Sequence, residues 1–222
     1  MQLTFLYHAL ASGLSGQITL PFQHTIAVQA PSALPYTGGY SASRAEAFRH
    51  EQLVSFDSAE TVTTGSESNG VFSTLATAVI EGLNILNVVT ADRVVARLAS
   101  KYSKQTGLRS VTFPGSHFVN LRIAGFPFEP RIDPEQMNFP RKSDRVRVGS
   151  IAAPVNLEGC KGLERLADGA IHLPEFGKVY LAECLVTACY QSLSMVRVDL
   201  GCAVKGHVMI AFASTDGEPM PG

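Results

Sequence analysis

The sequence predicts an all-β fold, an antiparallel β-sandwich or flattened barrel, formed by a single domain over residues 1–222. Turn signals rich in Gly, Pro, Ser and Asn recur along the chain, as at 30–39 and 63–70, with short apolar runs between them. Several of these runs alternate apolar and polar residues, as half-buried strands do. Two late runs, 178–190 and 195–214, consist almost wholly of apolar or small residues, which predicts central strands of a sheet.

The chain opens with MQLTFLYHALASG, which we interpret as a first strand. A secretion signal is disfavoured, because no Lys or Arg precedes the apolar residues and His8 interrupts them. Further on, apolar residues alternate with Gln17 and Thr19, which predicts a half-buried strand whose inward face carries Ile18, Leu20 and Phe22.

The segment 73–104 leaves two alternatives open. Leu75, Val79, Leu83 and Leu86 have helical spacing, and helices here would make the fold α+β. The β-branched pairs of this segment, such as Val88-Val89, favour strands instead.

The later runs again alternate as strands do. One carries Phe118, Leu121 and Ile123 and stops at Gly125, and another spans 145–150. In the run 178–190, strict alternation predicts that Tyr180, Ala182 and Cys184 share the core face. The same alternation places Glu183 and Cys189 on a wetter face, so Cys189 would be the more reactive thiol.

Composition restricts the class of partner. Charged residues make up 17% of the chain, and 18 Lys and Arg balance 19 Asp and Glu to a net charge of -1. This balance excludes a general attraction to nucleic acid, and no apolar stretch is long enough to span a membrane. Because the sequence shows no clear signal peptide, we expect a cytoplasmic location from the residues alone.

The sequence carries no recognisable catalytic, metal or cofactor motif. The cysteines lack the C-x2-C spacing of zinc sites, and we expect Cys184, Cys189 and Cys202 to be unbridged thiols. Ser116 and His117 are adjacent, so on a strand they diverge and cannot act as nucleophile and base. We therefore predict no cofactor and no metal, while the sequence does not decide whether the protein is an enzyme.

Candidate ligand-binding residues concentrate in one region. A charge cluster in an otherwise charge-poor chain, GYSASRAEAFRHEQ at 39–52, could grip a carboxylate through arginine or form the polar wall of a pocket. Aromatic side chains would line such a pocket, namely Phe5, Tyr7, Phe22, Tyr36 and Tyr40. The candidate binding residues are Arg44, Arg49, His50, His117, Tyr36 and Tyr40.

Three blocks of the sequence are similar to a known group. They are ATAVIEGLNILNVVTADRVVAR, then SHFVNLRIAGFPF, then MVRVDLGCAVKGHVMIAFAST. Together they resemble the bacterial "choice-of-anchor P" surface β-domains over about half the chain. The matching positions are Gly82, Leu83, Leu86, Thr90, Ala91, Asp92, Ser116, Phe118, Asn120, Leu121, Ile123 and Gly125. The resemblance implies strands in 73–104 and a location at the cell surface.

Two function hypotheses follow. The first is a non-enzymatic structural, assembly or binding module that presents a β scaffold to a partner, either a protein or a second copy in a homo-oligomer. The alternative is a small-molecule-binding β-sandwich or barrel that could act as a cofactor-independent enzyme. A flat surface would favour the first, and a cavity with convergent polar groups would favour the second.

Overall fold

Two antiparallel β-sheets packed face to face form the body of the protein. The structure is a computed structural model that describes residues 4–132, 149–151, 153, 155–186, 190–201 and 203–220. Within these ranges the chain forms strands and turns without helices, and no helix there is suited to crossing a membrane. The all-β sandwich expected from the sequence is confirmed, and the arrangement is not a closed barrel.

Nineteen strands make up the described chain. In order they are β1 Thr4–Leu6, β2 Ala9–Leu20, β3 His24–Gln29, β4 Ser32–Ala33, β5 Gly39–His50, β6 Val54–Ser68, β7 Val71–Ile85, β8 Val89–Ser103, β9 Arg109–Thr112, β10 His117–Val119, β11 Arg122–Ile123, β12 Phe126–Pro127, β13 Gly149–Ile151, β14 Glu164–Arg165, β15 Ile171–Leu173, β16 Gly177–Val186, β17 Gln191–Gly201, β18 Lys205–Thr215 and β19 Glu218–Met220.

The strands form two large sheets and one small pair. Sheet I has the order β12-β11-β8-β7-β6-β5, with β9 and β10 also paired to β8. Sheet II has the order β14-β15-β16-β17-β18-β2-β3, with β13 paired to β16 and β4 paired to β2. The runs 178–190 and 195–214 contribute β16, β17 and β18, which lie in the middle of sheet II as predicted. Strands β1 and β19 pair with each other.

The core lies between the inner faces of the two sheets. Strands β2 and β18 of sheet II pack across β6, β7 and β8 of sheet I. The sheets approach each other closely at Gly13, where a Cβ atom would lie 2.8 Å from the Ala59 Cβ and 3.1 Å from the Ile80 Cδ1. Glycine is therefore the residue that lets the sheets close here.

Each sheet is crossed by a row of positions at which the in–out alternation of side chains slips by one residue. In sheet I, Ala47 and Gly82 do not pair with the residues opposite them. The strands pair in the same register before and after these two positions. On β7, Ile80 and Leu83 both face the core although they are three residues apart. We name the aligned residues slip row I: Ala47, Asp57, Gly82, Asp92 and Asn120.

Sheet II carries an equivalent row. We name it slip row II, and its aligned residues are Ala182, Met195, Ala211, Gly13 and Ala30. In both rows every second aligned residue is in the left-handed region: Ala47, Gly82 and Asn120 in sheet I, and Ala182, Ala211 and Ala30 in sheet II. Because the slips align across neighbouring strands, each sheet changes which residues face inward without losing its hydrogen-bonding register.

The helical alternative for 73–104 is wrong, since this segment forms the antiparallel pair β7 and β8. The slip explains the misleading pattern. On β8, Ala91 and Val94 are both buried, as are Ile80 and Leu83 on β7. A slip turns the two-residue spacing of buried side chains into three, which resembles the periodicity of a helix.

The slip also corrects the face predicted for Tyr180. The left-handed Ala182 separates Tyr180 from Cys184, so Tyr180 lies with Glu183 on the outer face, where both contact Arg197. Cys184 is fully buried and unbridged, as expected. Cys189 and Cys202 lie outside the described residues, so their predicted state stays a prediction.

Two other strand predictions are only partly right. Ile18 is buried, but β2 ends at Leu20, and Leu20 and Phe22 are exposed because the chain leaves the sheet at the turn. The run 118–123 is divided between β10 and β11 by the left-handed Asn120. Most of the predicted strand 145–150 lies outside the described residues.

Candidate functional site

The candidate site is the edge of sheet I formed by β5. Among the residues that the structure describes, β5 is hydrogen-bonded along one side only, to β6, from Gly39 to His50. The strand is 12 residues long and none of its residues is fully buried. A strand edge of this length leaves backbone N–H and C=O groups facing solvent, where an additional strand can bind.

Most of the candidate residues predicted from the sequence lie on this edge. Four are on β5, one is in the turn that precedes it, and one is on the far side of sheet I: Tyr40, Arg44, Arg49 and His50, then Tyr36, then His117. The local charge cluster of the sequence is therefore an edge strand with solvated side chains.

The outer face of β5 is charged and aromatic. Tyr40 is 65% exposed. Arg44 lies 3.3 Å from the Glu60 carboxylate on β6 and 3.2 Å from the Glu46 carboxylate on its own strand. Both ion pairs are open to water, so they contribute at most about 1 kcal/mol each. The Arg44 guanidinium consequently remains available to a partner.

Packing holds β5 to the rest of the protein beyond the slip row. The rings of Phe48 and Phe56 stack with centroids 5.3 Å apart. The imidazoles of His50 and His24 stack at 4.7 Å, which joins the edge of sheet I to the edge strand β3 of sheet II. Left-handed Ala47 interrupts the strand before these contacts, and Gly39 at its start has a φ of 106°, so the regular part of the edge is Tyr40–Glu46.

His117 takes part in a local turn. Its Nδ1 lies 2.8 Å from the Gly115 carbonyl oxygen, so Nδ1 carries the proton and donates it. The Ser116 hydroxyl accepts the Arg97 N–H at 2.8 Å and donates to the Arg97 carbonyl at 3.0 Å. Ser116 and His117 therefore bind separate backbone groups, in agreement with the divergence expected of adjacent residues on a strand.

The aromatic residues proposed for one pocket are separated by the fold. Phe5 and Tyr7 are buried in a ring cluster with Phe72 and Tyr102, in which the Phe5 and Phe72 centroids are 4.5 Å apart. Burial, with Glu67 nearby, raises the pKa of Tyr7. In contrast, three of the predicted lining residues are largely exposed: Phe22, Tyr36 and Tyr40.

A cavity of about 310 Å³ lies elsewhere, where the end of β12 meets the segment before β14. Its lining combines apolar side chains with one carboxylate and one amide: Pro127, Phe128, Val155, Glu129 and Asn156. The amide of Asn156 already bonds Glu158, both to its backbone N–H and to its carboxylate. In the described part of the chain, no group of three or more His, Cys, Asp or Glu could hold a metal ion.

Sequence reasoning missed a charged cluster on the outer face of sheet II. Arg197 makes a bidentate contact with Glu183 at 2.7 and 2.9 Å, contacts Asp199 at 2.6 Å, and lies 3.6 Å from the Tyr180 ring centroid. The Glu183 hydrogen bonds raise the Arg197 pKa above its usual range. The Tyr180 hydroxyl donates to Asp168. Every polar group named here has a partner, which indicates a stabilising network.

Comparison with known proteins gives one match. A family model described as "Domain of unknown function (DUF8256)" matches residues 5–156, which include all of sheet I and the N-terminal strands of sheet II. No curated protein and no solved structure matches the chain. The match assigns no activity, and the resemblance to surface β-domains stays a prediction.

Proposed function

We propose that this chain, which belongs to the DUF8256 family of domains of unknown function, is a non-enzymatic binding module that presents the β5 edge to a partner strand. The observation that carries the proposal is the open edge itself. Tyr40–Glu46 is regular, has alternating exposed and half-buried residues, and is hydrogen-bonded on one side in the described chain. A strand added there would extend sheet I by backbone hydrogen bonds.

The side chains of this edge support the same function. Tyr and Arg are, with Trp, the residue types enriched where binding energy concentrates, and Tyr40 and Arg44 lie on the same outer face. The opposite face of the strand carries the small residues Ser41, Ser43 and Ala45, which allow another backbone to approach. One common form of edge protection is absent from Tyr40–Glu46, since none of its inward residues is charged.

Selection from a displayed library of random ten-residue peptides tests the proposal. Selected peptides should bind the wild-type chain and slow amide exchange within Gly39–Glu46. They should lose binding to Ser43→Lys, because an inward-pointing lysine on an edge strand repels an added strand. Ser15→Lys serves as the control, because Ser15 is also half-buried but lies on a strand of the other sheet. Failure to select any edge-dependent peptide would contradict the proposal.

A second candidate function, small-molecule binding, is favoured by the cavity beside Phe128. Its volume lies at the lower end of the range for ligand pockets. Fluorine NMR screening of small aromatic acids and amides, repeated with Phe128→Ala, tests it. A ligand that binds wild type and Phe128→Ala equally would place binding elsewhere.

A further inference from the structure

We infer that the strand that completes the β5 edge is β5 of a second copy, paired antiparallel about a two-fold axis at Ala42. This inference rests on the proposed function of the edge and names its partner. It follows from the sequence of the regular segment around Ala42, Tyr40-Ser-Ala-Ser-Arg44, read in both directions.

The segment is self-complementary about Ala42. In an antiparallel pair centred there, Ser41 of one copy lies opposite Ser43 of the other on the inner face. Tyr40 lies opposite Arg44 on the outer face, and the axis generates each of these contacts twice. Cross-strand serine pairs form hydrogen bonds, and a guanidinium over a tyrosine ring is attracted by the ring electrons. Ala42 meets Ala42 on the axis without steric conflict.

Neighbouring registers are less favourable. Centring the pair on Arg44 places two arginines directly opposite each other, and centring it on Ser43 places them on adjacent diagonal positions. Centring it on Ala45 draws left-handed Ala47 into the ladder opposite Ser43. In slip row I every left-handed residue lies opposite a position where the ladder of the next strand is also interrupted. Ser43 is a regular strand residue, so it does not match Ala47 in this way. Among the registers centred on Ala42, Ser43, Arg44 and Ala45, the Ala42 register is therefore the one that pairs unlike side chains and ends before the slip.

The Ala42 register fixes how far equivalent residues lie from each other. Two Ala42 side chains would be about 5 Å apart, whereas two Glu46 side chains would be about 27 Å apart along the strands. Both residues are exposed on the outer face of β5, so cysteine at either position is tolerated by the monomer. The two positions thus provide a matched pair of probes.

Oxidative cross-linking of Ala42→Cys and Glu46→Cys tests the register, with wild type as background for the native thiols. Ala42→Cys should form a disulfide-linked dimer at least about tenfold faster than Glu46→Cys, because only the first pair is within disulfide reach. Equal rates at the two positions, or no dimer from Ala42→Cys, would overturn the inference.

Sedimentation velocity distinguishes this inference from the proposed function. Wild type should dimerise with rising concentration, and Ala42→Glu should weaken dimerisation by about tenfold or more because two carboxylates face each other on the axis. Ala27→Glu, an exposed position on β3, should leave it unchanged. A wild type that stays monomeric while its edge still binds selected peptides refutes the second copy alone. If edge-dependent peptides fail as well, the proposed function fails with it.

Discussion

At the scale of single residues, the pKa of the Cys184 thiol depends on its burial in the core. Burial raises the pKa of this thiol to about 12 from an ordinary value near 9. A raised pKa means that the fold favours the neutral thiol, so this contribution to stability is complete below the ordinary pKa and is lost as pH rises from 9 toward 12.

We therefore predict that wild type loses more stability than Cys184→Ala when the pH is raised from 8 to 11. The variant lacks the ionisable group, so the comparison removes the effects of other residues such as Tyr7. Thermal unfolding followed by circular dichroism across this pH range measures the difference. Parallel pH profiles would contradict the assignment of Cys184 as buried and neutral.

Arg197 is a second residue whose substitution has a defined result. Glu183 is mostly enclosed beneath the Arg197 guanidinium, so Arg197→Met should remove the bidentate contact from a largely buried carboxylate and lower the unfolding free energy by about 2–4 kcal/mol. The double variant Arg197→Met/Glu183→Gln should recover part of this loss. Urea denaturation measures both, and a change below about 0.5 kcal/mol in the single variant would show that the pair is not stabilising.

At the scale of elements, the slip rows separate what the sequence could predict from what it could not. Strand existence followed from alternation and turn residues, and the central position of the two late apolar runs was correct. Alternation was misleading where a slip intervenes, at Tyr180 and around Gly82, because the spacing of buried residues there changes from two to three. Alanine occupies four of the six left-handed positions of the slip rows and gives no local signal there, since alanine is not a residue expected in that region.

Glycine should have opposite effects on stability at two exposed alanines of β5. Ala47 has a φ of 41°, which is unfavourable for any residue with a Cβ atom, so Ala47→Gly should be neutral or stabilise by up to about 1 kcal/mol. Ala42, in regular strand, should lose about 0.5–1 kcal/mol as glycine. Chemical denaturation at low protein concentration compares the two, and equal losses would argue against a left-handed Ala47.

The sequence predicted the residues of the candidate site but not their position at a sheet edge. The chain has few charged residues, so the local charge cluster indicated Arg44, Arg49 and His50 as candidates from the sequence alone. That this strand lies at a sheet edge is a long-range property of strand order, which local spacing does not encode. The Arg197 network could not be predicted from local spacing, because its residues lie on two strands, β16 and β17. They share one face only because the in–out alternation of side chains slips at Ala182.

At the scale of the whole molecule, the close approach of the two sheets at Gly13 should limit what the core tolerates. Gly13→Ala would place a methyl group 2.8 Å from the Ala59 Cβ, so the sheets must move apart, and we expect a loss of about 1–3 kcal/mol. Gly201→Ala meets only ordinary contacts and serves as the control. Thermal denaturation of both variants measures the effect, and equal stability would contradict tight packing at this point.

The most direct test of the central claim, that the β5 edge receives a strand, is amide hydrogen exchange of the wild-type chain measured at increasing protein concentration. Exchange within Gly39–Ala45 should slow as concentration rises, while exchange within the inner strands β7 and β17 stays constant. An unchanged exchange rate in Gly39–Ala45, together with concentration-dependent protection at another edge such as β3, would contradict the account.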